Sequence, residues 1–155
     1  MNMKMKLFKT LMVGCSLAFA GQVGAHDEGH GPKLTDTGKF GGILTAVVEA
    51  KDASKGNAAL LVYKGELTRS EDKTVRVYVY DKDMKMLPAT LLNPKAEAKI
   101  LTMVGGKETV TPFVLTFENK AYVGKMPEPS GKPYNIDVTF RSGDKDLLAA
   151  FDNLD

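Results

Sequence analysis

From residue 40 onward, apolar and polar positions alternate with a period of two, in short runs broken by turn residues. The clearest run is 74–81, where Val75, Val77 and Val79 share one face and Arg76, Tyr78 and Tyr80 the other. Such alternation predicts a half-buried strand. Residues 134–141 repeat it, with Tyr134, Ile136, Val138 and Phe140 set against Asn135, Asp137, Thr139 and Arg141. Further strands are predicted over 42–50, 58–68, 96–103, 109–118, 121–126 and 147–151. Leu61, Tyr63, Gly65 and Leu67 share a face in the second of these, and Ala96, Ala98 and Ile100 point inward in the third. Gly105-Gly106 marks a tight hairpin, and Asn119-Lys120 ends the strand that follows it. No stretch after residue 30 has a useful helical period.

Seven to eight short strands with frequent turn signals predict an all-β domain over 40–155, an antiparallel immunoglobulin-like β-sandwich. A small open barrel is the competing architecture. The Cys…Trp…Cys signature of antibody-type domains is absent, because the chain has no Trp.

The residues ahead of the domain have a different character. Lys4, Lys6 and Lys9 precede an apolar run at 10–19, which is followed by small residues. This is the pattern of a secretory signal peptide, and the run is about half of the ~20 residues that would span a bilayer. Cleavage after Ala20 or after Ala25 satisfies the small-residue rule. The second leaves a polar region of ordinary length and is favoured, giving a signal peptide over 1–25 and His26 as the first mature residue. A lipoprotein anchored through Cys15 is disfavoured, because Lys9 interrupts the apolar stretch and Met12 is a poor residue at the −3 position. Residues 26–39 are polar and glycine-containing and predict a flexible tail. The expected location is the periplasm, with no membrane span after processing.

Processing changes the charge. Residues 1–25 carry three lysines and no acidic residue, so the remainder holds 18 basic against 19 acidic groups. No basic footprint for nucleic acid is left. The single cysteine, Cys15, leaves with the signal, so disulfides and thiolate ligands are not expected in the mature chain.

Candidate chemistry sits mainly in the tail. His26, Asp27, Glu28 and His30 bring two imidazoles and two carboxylates into five residues. Imidazole nitrogen and a free α-amine suit Cu(II), Ni(II) or Zn(II). No histidine follows residue 30, so a brace built from a terminal histidine and one held by the folded body is not available. Met84-Lys85-Met86 places two thioethers on one side of an extended chain, a soft pair suited to Cu(I); filling gaps at the end of a fold is the commoner use of such residues. Asp81, Asp83 and Glu71-Asp72 are read as turn formers. Tyr78 and Tyr80 offer a surface for a partner or for cross-strand packing. No residue set supplies a general base with an orienting partner, so the chain is not read as an enzyme.

The His26-Asp27-Glu28-Gly29-His30 opening, Phe40-Gly41-Gly42-Ile43-Leu44, Tyr63-Lys64-Gly65-Glu66-Leu67, Val75 to Asp81 and the Met86-Leu87-Pro88 exit together resemble small periplasmic β-sandwich proteins associated with heavy-metal efflux systems. They are similar in outline to the all-β front segment of some efflux adaptors, and more distantly to CopC-type copper proteins. The resemblance implies binding or buffering of a transition metal, or assistance to an efflux system. Such relatives carry a further histidine before the Glu-Leu strand; residues 51–64 here have none. The alternative expectation is an envelope protein-protein interaction module without metal, working through strand edges or the Tyr78/Tyr80 face.

Overall fold

The computed structural model describes residues 30–155. Eight antiparallel strands form the body: β1 (Ile43–Glu49), β2 (Tyr63–Arg69), β3 (Thr74–Tyr80), β4 (Lys95–Val104), β5 (Lys107–Glu118), β6 (Ala121–Lys125), β7 (Tyr134–Ser142) and β8 (Lys145–Leu154). Short 3-10 turns lie at Ala50–Ala58 and Ala89–Leu91. Each strand overlaps one of the runs predicted from the sequence. The all-β, antiparallel reading therefore holds.

The arrangement of the strands differs from the sandwich expected. Their order is β1-β2-β3-β6-β5-β4-β7-β8, and β8 pairs back onto β1 through Val47↔Ala149 and Val48↔Leu148. The sheet is one closed barrel, not two facing sheets, and it is also not the open barrel that competed with the sandwich. Period-two patterning cannot separate these architectures, because each sends alternate residues inward. Closure is decided by pairing between the first and last strands, which no local pattern records.

Inside the barrel, Val47, Leu67, Val75, Val77, Ala98, Ile100, Leu115, Ile136, Val138, Leu147 and Phe151 pack as one core. Gly65 also faces inward: a methyl group there would sit 3.3–3.5 Å from Val47, Ala149 and Phe151. Tyr122 contributes its ring, edge-on to Phe117 at 5.1 Å, and donates its hydroxyl to the Asn93 carbonyl at 2.7 Å. The tight hairpins have the backbone they require. Gly105 and Gly106, and likewise Asn119 and Lys120, all have positive φ, as a two-residue type I′ connection demands.

A second, smaller apolar cluster lies on the outside of β1. Ala46 and Val48 pack there with Ala59, and Leu34, Ala53 and Leu61 close over them. The run of residues 31–42 thus lies along the outer wall of the barrel as a strap, although its polar composition marks most of it as a tail.

Candidate functional site

Two polar side chains on the outer face of β2 hold the strap. Glu66 is fully buried. Its Oε1 accepts the backbone N–H groups of Phe40 and Gly42, and its Oε2 accepts that of Lys39, each at 2.8 Å. The Tyr80 hydroxyl donates to Oε2 at 2.6 Å. Burial pushes the carboxyl pKa up, but the hydrogen bonds from Tyr80, Gly42, Phe40 and Lys39 outweigh it and hold the group below the ordinary glutamate value. Two residues further out on the same face, Lys64 donates to Asp36 Oδ2 at 2.6 Å and to the Lys82 carbonyl at 2.7 Å. Phe40 stacks on Tyr78 with ring centroids 4.1 Å apart.

Glycines let the strap approach this closely. A Cβ on Gly38 would lie 2.4 Å from Glu66 Oε1, and one on Gly42 would lie 2.3 Å from the Leu67 carbonyl oxygen. Tyr80 is buried and Tyr78 is stacked under Phe40. The face that sequence reasoning offered to a partner is occupied by the chain's own strap.

At its other end the strap brings His30 to the barrel wall. A Cβ on Gly31 would lie 2.7 Å from the Ala46 Cβ, so the chain runs directly over that alanine. The register continued by one residue sets Ala46 beside Ala150, and Ala150 pairs with Asp137, which pairs with Lys99. These residues form one row across β1, β8, β7 and β4. The Asp137 Oδ1 is buried and has no hydrogen-bond partner. Burial is the main cause that pushes its pKa above the ordinary aspartate value; His30 and Lys99 pull it down, while Asp152 and Glu108 push it up.

Of the residues predicted for a metal, His26, Asp27 and Glu28 lie outside the described residues. Met84 and Met86 are half-buried around the turn after β3, where Met84 has a φ of 62° and Met86 bridges to Tyr80. β3 and β7 lie four strands apart in the ring of eight, on opposite walls. The structure therefore does not bring the thioethers together with His30. Asp81 has the turn role expected of it, accepting the N–H groups of Asp83 and Lys85 at 2.9 Å. Among the described residues, no group of three or more His, Cys, Asp or Glu side chains is arranged to hold a metal ion. The sequence reading missed Glu66, Lys64 and Asp137. In the sequence each is a polar residue on the outward face of a strand, and for Glu66 and Lys64 the partners at Lys39, Phe40, Gly42 and Asp36 come from the strap.

The described chain defines a class by its geometry: a small closed antiparallel barrel with an N-terminal strap anchored on a buried carboxylate. Comparison with known protein families, curated proteins and solved structures finds no match to it. No helix among the described residues is long and apolar enough to cross a membrane, which says nothing of strands.

Proposed function

We propose that this chain is an exported, non-enzymatic β-barrel protein of the periplasm that binds or buffers a divalent transition ion through its leading segment. His26, Asp27, Glu28 and His30 supply the donors, and Cu(II), Zn(II) or Ni(II) is the class of ion they suit. One observation carries the reading: two imidazoles and two carboxylates fall within five residues, at His26, Asp27, Glu28 and His30. The pattern of residues 1–25 supports export, and the resemblance to proteins of metal-efflux systems supports a role in metal handling. The Met84/Met86 pair is not part of this site. Equilibrium dialysis of the exported, processed protein against Cu(II) and Zn(II), with its first residue identified by N-terminal sequencing, tests the proposal. One ion per chain is expected, and the His26→Ala/His30→Ala variant should lose it. Unchanged stoichiometry in that variant refutes the reading.

An envelope interaction module without metal is the second reading, and β5 favours it. β6 pairs with β5 only over Thr116–Glu118, so residues 107–115 form a ladder with β4 alone among the named strands. Met103, Val110 and Val114 are exposed on this ribbon. An unpaired edge with apolar neighbours is a template for strand addition. A defined envelope partner that stays bound in chelator, and is lost when Val110 and Val114 are changed to Lys, would establish this reading over the first.

A further inference from the structure

We propose that one mouth of the barrel binds a small amphiphilic carboxylate, its head group taken by Arg69, Lys132 and the Tyr134 hydroxyl and its apolar body laid against Phe40 and Ile43. The site uses residues 40–155 alone and owes nothing to the leading segment. It follows from the strand pattern. The register pairs Ile43 with Leu67 and Tyr134 with Leu154, and Arg69 with Val75, so the start of β1, the end of β2, the start of β7 and the end of β8 lie at hairpin or strand ends. The inward positions of β1, β2 and β7 carry the core residues Val47, Leu67 and Ile136. Continued by steps of two, the same faces reach Ile43, Arg69 and Tyr134. These three line one open cleft of about 560 Å³ together with Phe40 and Lys132, a volume in the range of small-molecule sites.

A charged residue at an inward position needs a reason, since such places ordinarily take apolar side chains. Arg69 is held in place: its Nη1 donates to the Tyr134 hydroxyl and, at 2.9 Å, to the main-chain oxygen of Asp155. The other two guanidinium nitrogens remain as donors. Tyr134 is only 3% exposed. The buried Tyr80 and Tyr122 donate their hydroxyl protons to Glu66 and to the Asn93 carbonyl. Tyr134 accepts from Arg69 instead, which leaves its own proton for the cleft. Buried polar groups are almost always satisfied, and an acceptor bound here would satisfy this one. Charge selects the acceptor. Three basic side chains line the cleft, Arg69, Lys73 and Lys132, against two acidic ones, Glu128 and Asp155, and Lys73 pairs with Glu128. Neither Arg69 nor Lys132 has a side-chain carboxylate within 4.0 Å among the described residues. An excess of one positive side chain suits a carboxylate better than a phosphate monoester, which carries about 1.5–2 negative charges at neutral pH. The guanidinium fork also matches the two oxygens of a carboxylate. The apolar half comes from the strap and β1. Phe40 and Ile43 are exposed on the rim, and Phe40 is kept there by its N–H bond to Glu66 and its stack on Tyr78.

The test titrates decanoate, decanol and acetate, each alone, into the purified protein at neutral pH and follows backbone amide shifts. Decanoate should move the signals of residues 40–43, 68–70 and 126–134. Decanol has the same chain without the charge, and acetate the charge without the chain. Each should bind roughly 10-fold more weakly than decanoate or worse. Arg69→Gln removes the fixed guanidinium, and Lys132→Gln removes an exposed cation that lies outside every strand. Each should weaken decanoate by roughly 10-fold or more, the worth of a charged hydrogen bond, and leave decanol unchanged. Thermal melts report whether the variants fold. If Arg69→Gln does not, because Arg69 also ties Tyr134 to Asp155, Lys132→Gln decides. Decanol binding as tightly as decanoate, or decanoate binding Lys132→Gln as it binds wild type, would reduce the cleft to an apolar surface and overturn the proposal. So would shifts centred on Met103, Val110 and Val114 instead of the mouth, or no shift with decanoate at millimolar concentration.

Discussion

Glu66→Gln is the sharpest probe of the strap, because one atom changes and four hydrogen bonds are affected. The carboxylate accepts two backbone N–H groups on Oε1, and one N–H and the Tyr80 hydroxyl on Oε2. A glutamine can keep its oxygen toward Phe40 and Gly42. Its NH₂ then faces the Lys39 N–H and the tyrosine. Tyr80 can turn and accept, but Lys39 is left donor against donor. Hydrogen bonds to a charged group contribute about 1.5–3 kcal/mol and neutral ones about 0.5–1.5, while an orphaned buried donor costs about 1–3. Weakening three bonds and orphaning one donor loses about 4 kcal/mol; the easier burial of a neutral amide returns part of this. The expected net loss is about 3 kcal/mol, or a fall in Tm of about 10 °C for a domain of this size.

The pH dependence gives the experiment a second axis. The Glu66 pKa is depressed in the folded state, so its contribution is present above the unfolded value of about 4.3 and is lost as pH falls through the folded value. The gap between wild type and Glu66→Gln should therefore be full at pH 7 and should narrow as the pH falls below 4. Urea unfolding at both pH values measures the gap, and amide exchange at Lys39, Phe40 and Gly42 shows whether it comes from release of the strap. A gap smaller than about 1 kcal/mol at pH 7, with those amides still protected, would refute the clamp.

Gly42→Ala should destabilise by roughly 2 kcal/mol or more, since its methyl group would fall 2.3 Å from a carbonyl oxygen. Gly105→Ala, with positive φ but open space around it, should lose only about 1 kcal/mol; equal losses in urea unfolding would remove close approach as the reason for Gly42. Asp137→Asn should melt above wild type at pH 7, because it removes a carboxyl whose buried oxygen has no hydrogen-bond partner. The folded protein holds the Asp137 proton more tightly than the unfolded chain, because of burial, so wild type loses stability as pH rises through that window. The advantage of the variant should fade below the ordinary aspartate range, and calorimetry showing it less stable at pH 7 would contradict burial as the cause.

The strands were legible because their inward residues are apolar and their outward ones polar. Val75, Val77 and Val79, and Ile136, Val138 and Phe140, are all buried as the alternation requires. The hairpins at Gly105-Gly106 and Asn119-Lys120 were legible because positive φ selects those residues. Closure was not, since Val47 and Ala149 meet across most of the domain's length. The clamp was hidden for a different reason. Lys64 and Glu66 carry the polar signature of a solvent face, and residues 36–39 carry the signature of a tail. Each masks the other, because a polar strap on a polar face needs no apolar pattern in either. Leu61 was placed in line with the inward face of β2, but it precedes the strand and packs on the outer cluster instead.

That mutual masking also changes what can be said about the affinity of the leading histidines. A free tail that wraps an ion must give up roughly 1–2 kcal/mol of backbone entropy for each residue it orders, which argues for weak binding. In the fold, the run from Gly31 to Gly42 is held by Ala46, Lys64 and Glu66. Its entropy is lost on folding, and none of it is drawn again when an ion binds. The clamp at Glu66 and the proposed donor at His30 lie at opposite ends of one strap, so on the proposed reading the buried carboxylate also sets how much of the leading segment an ion would have to organise.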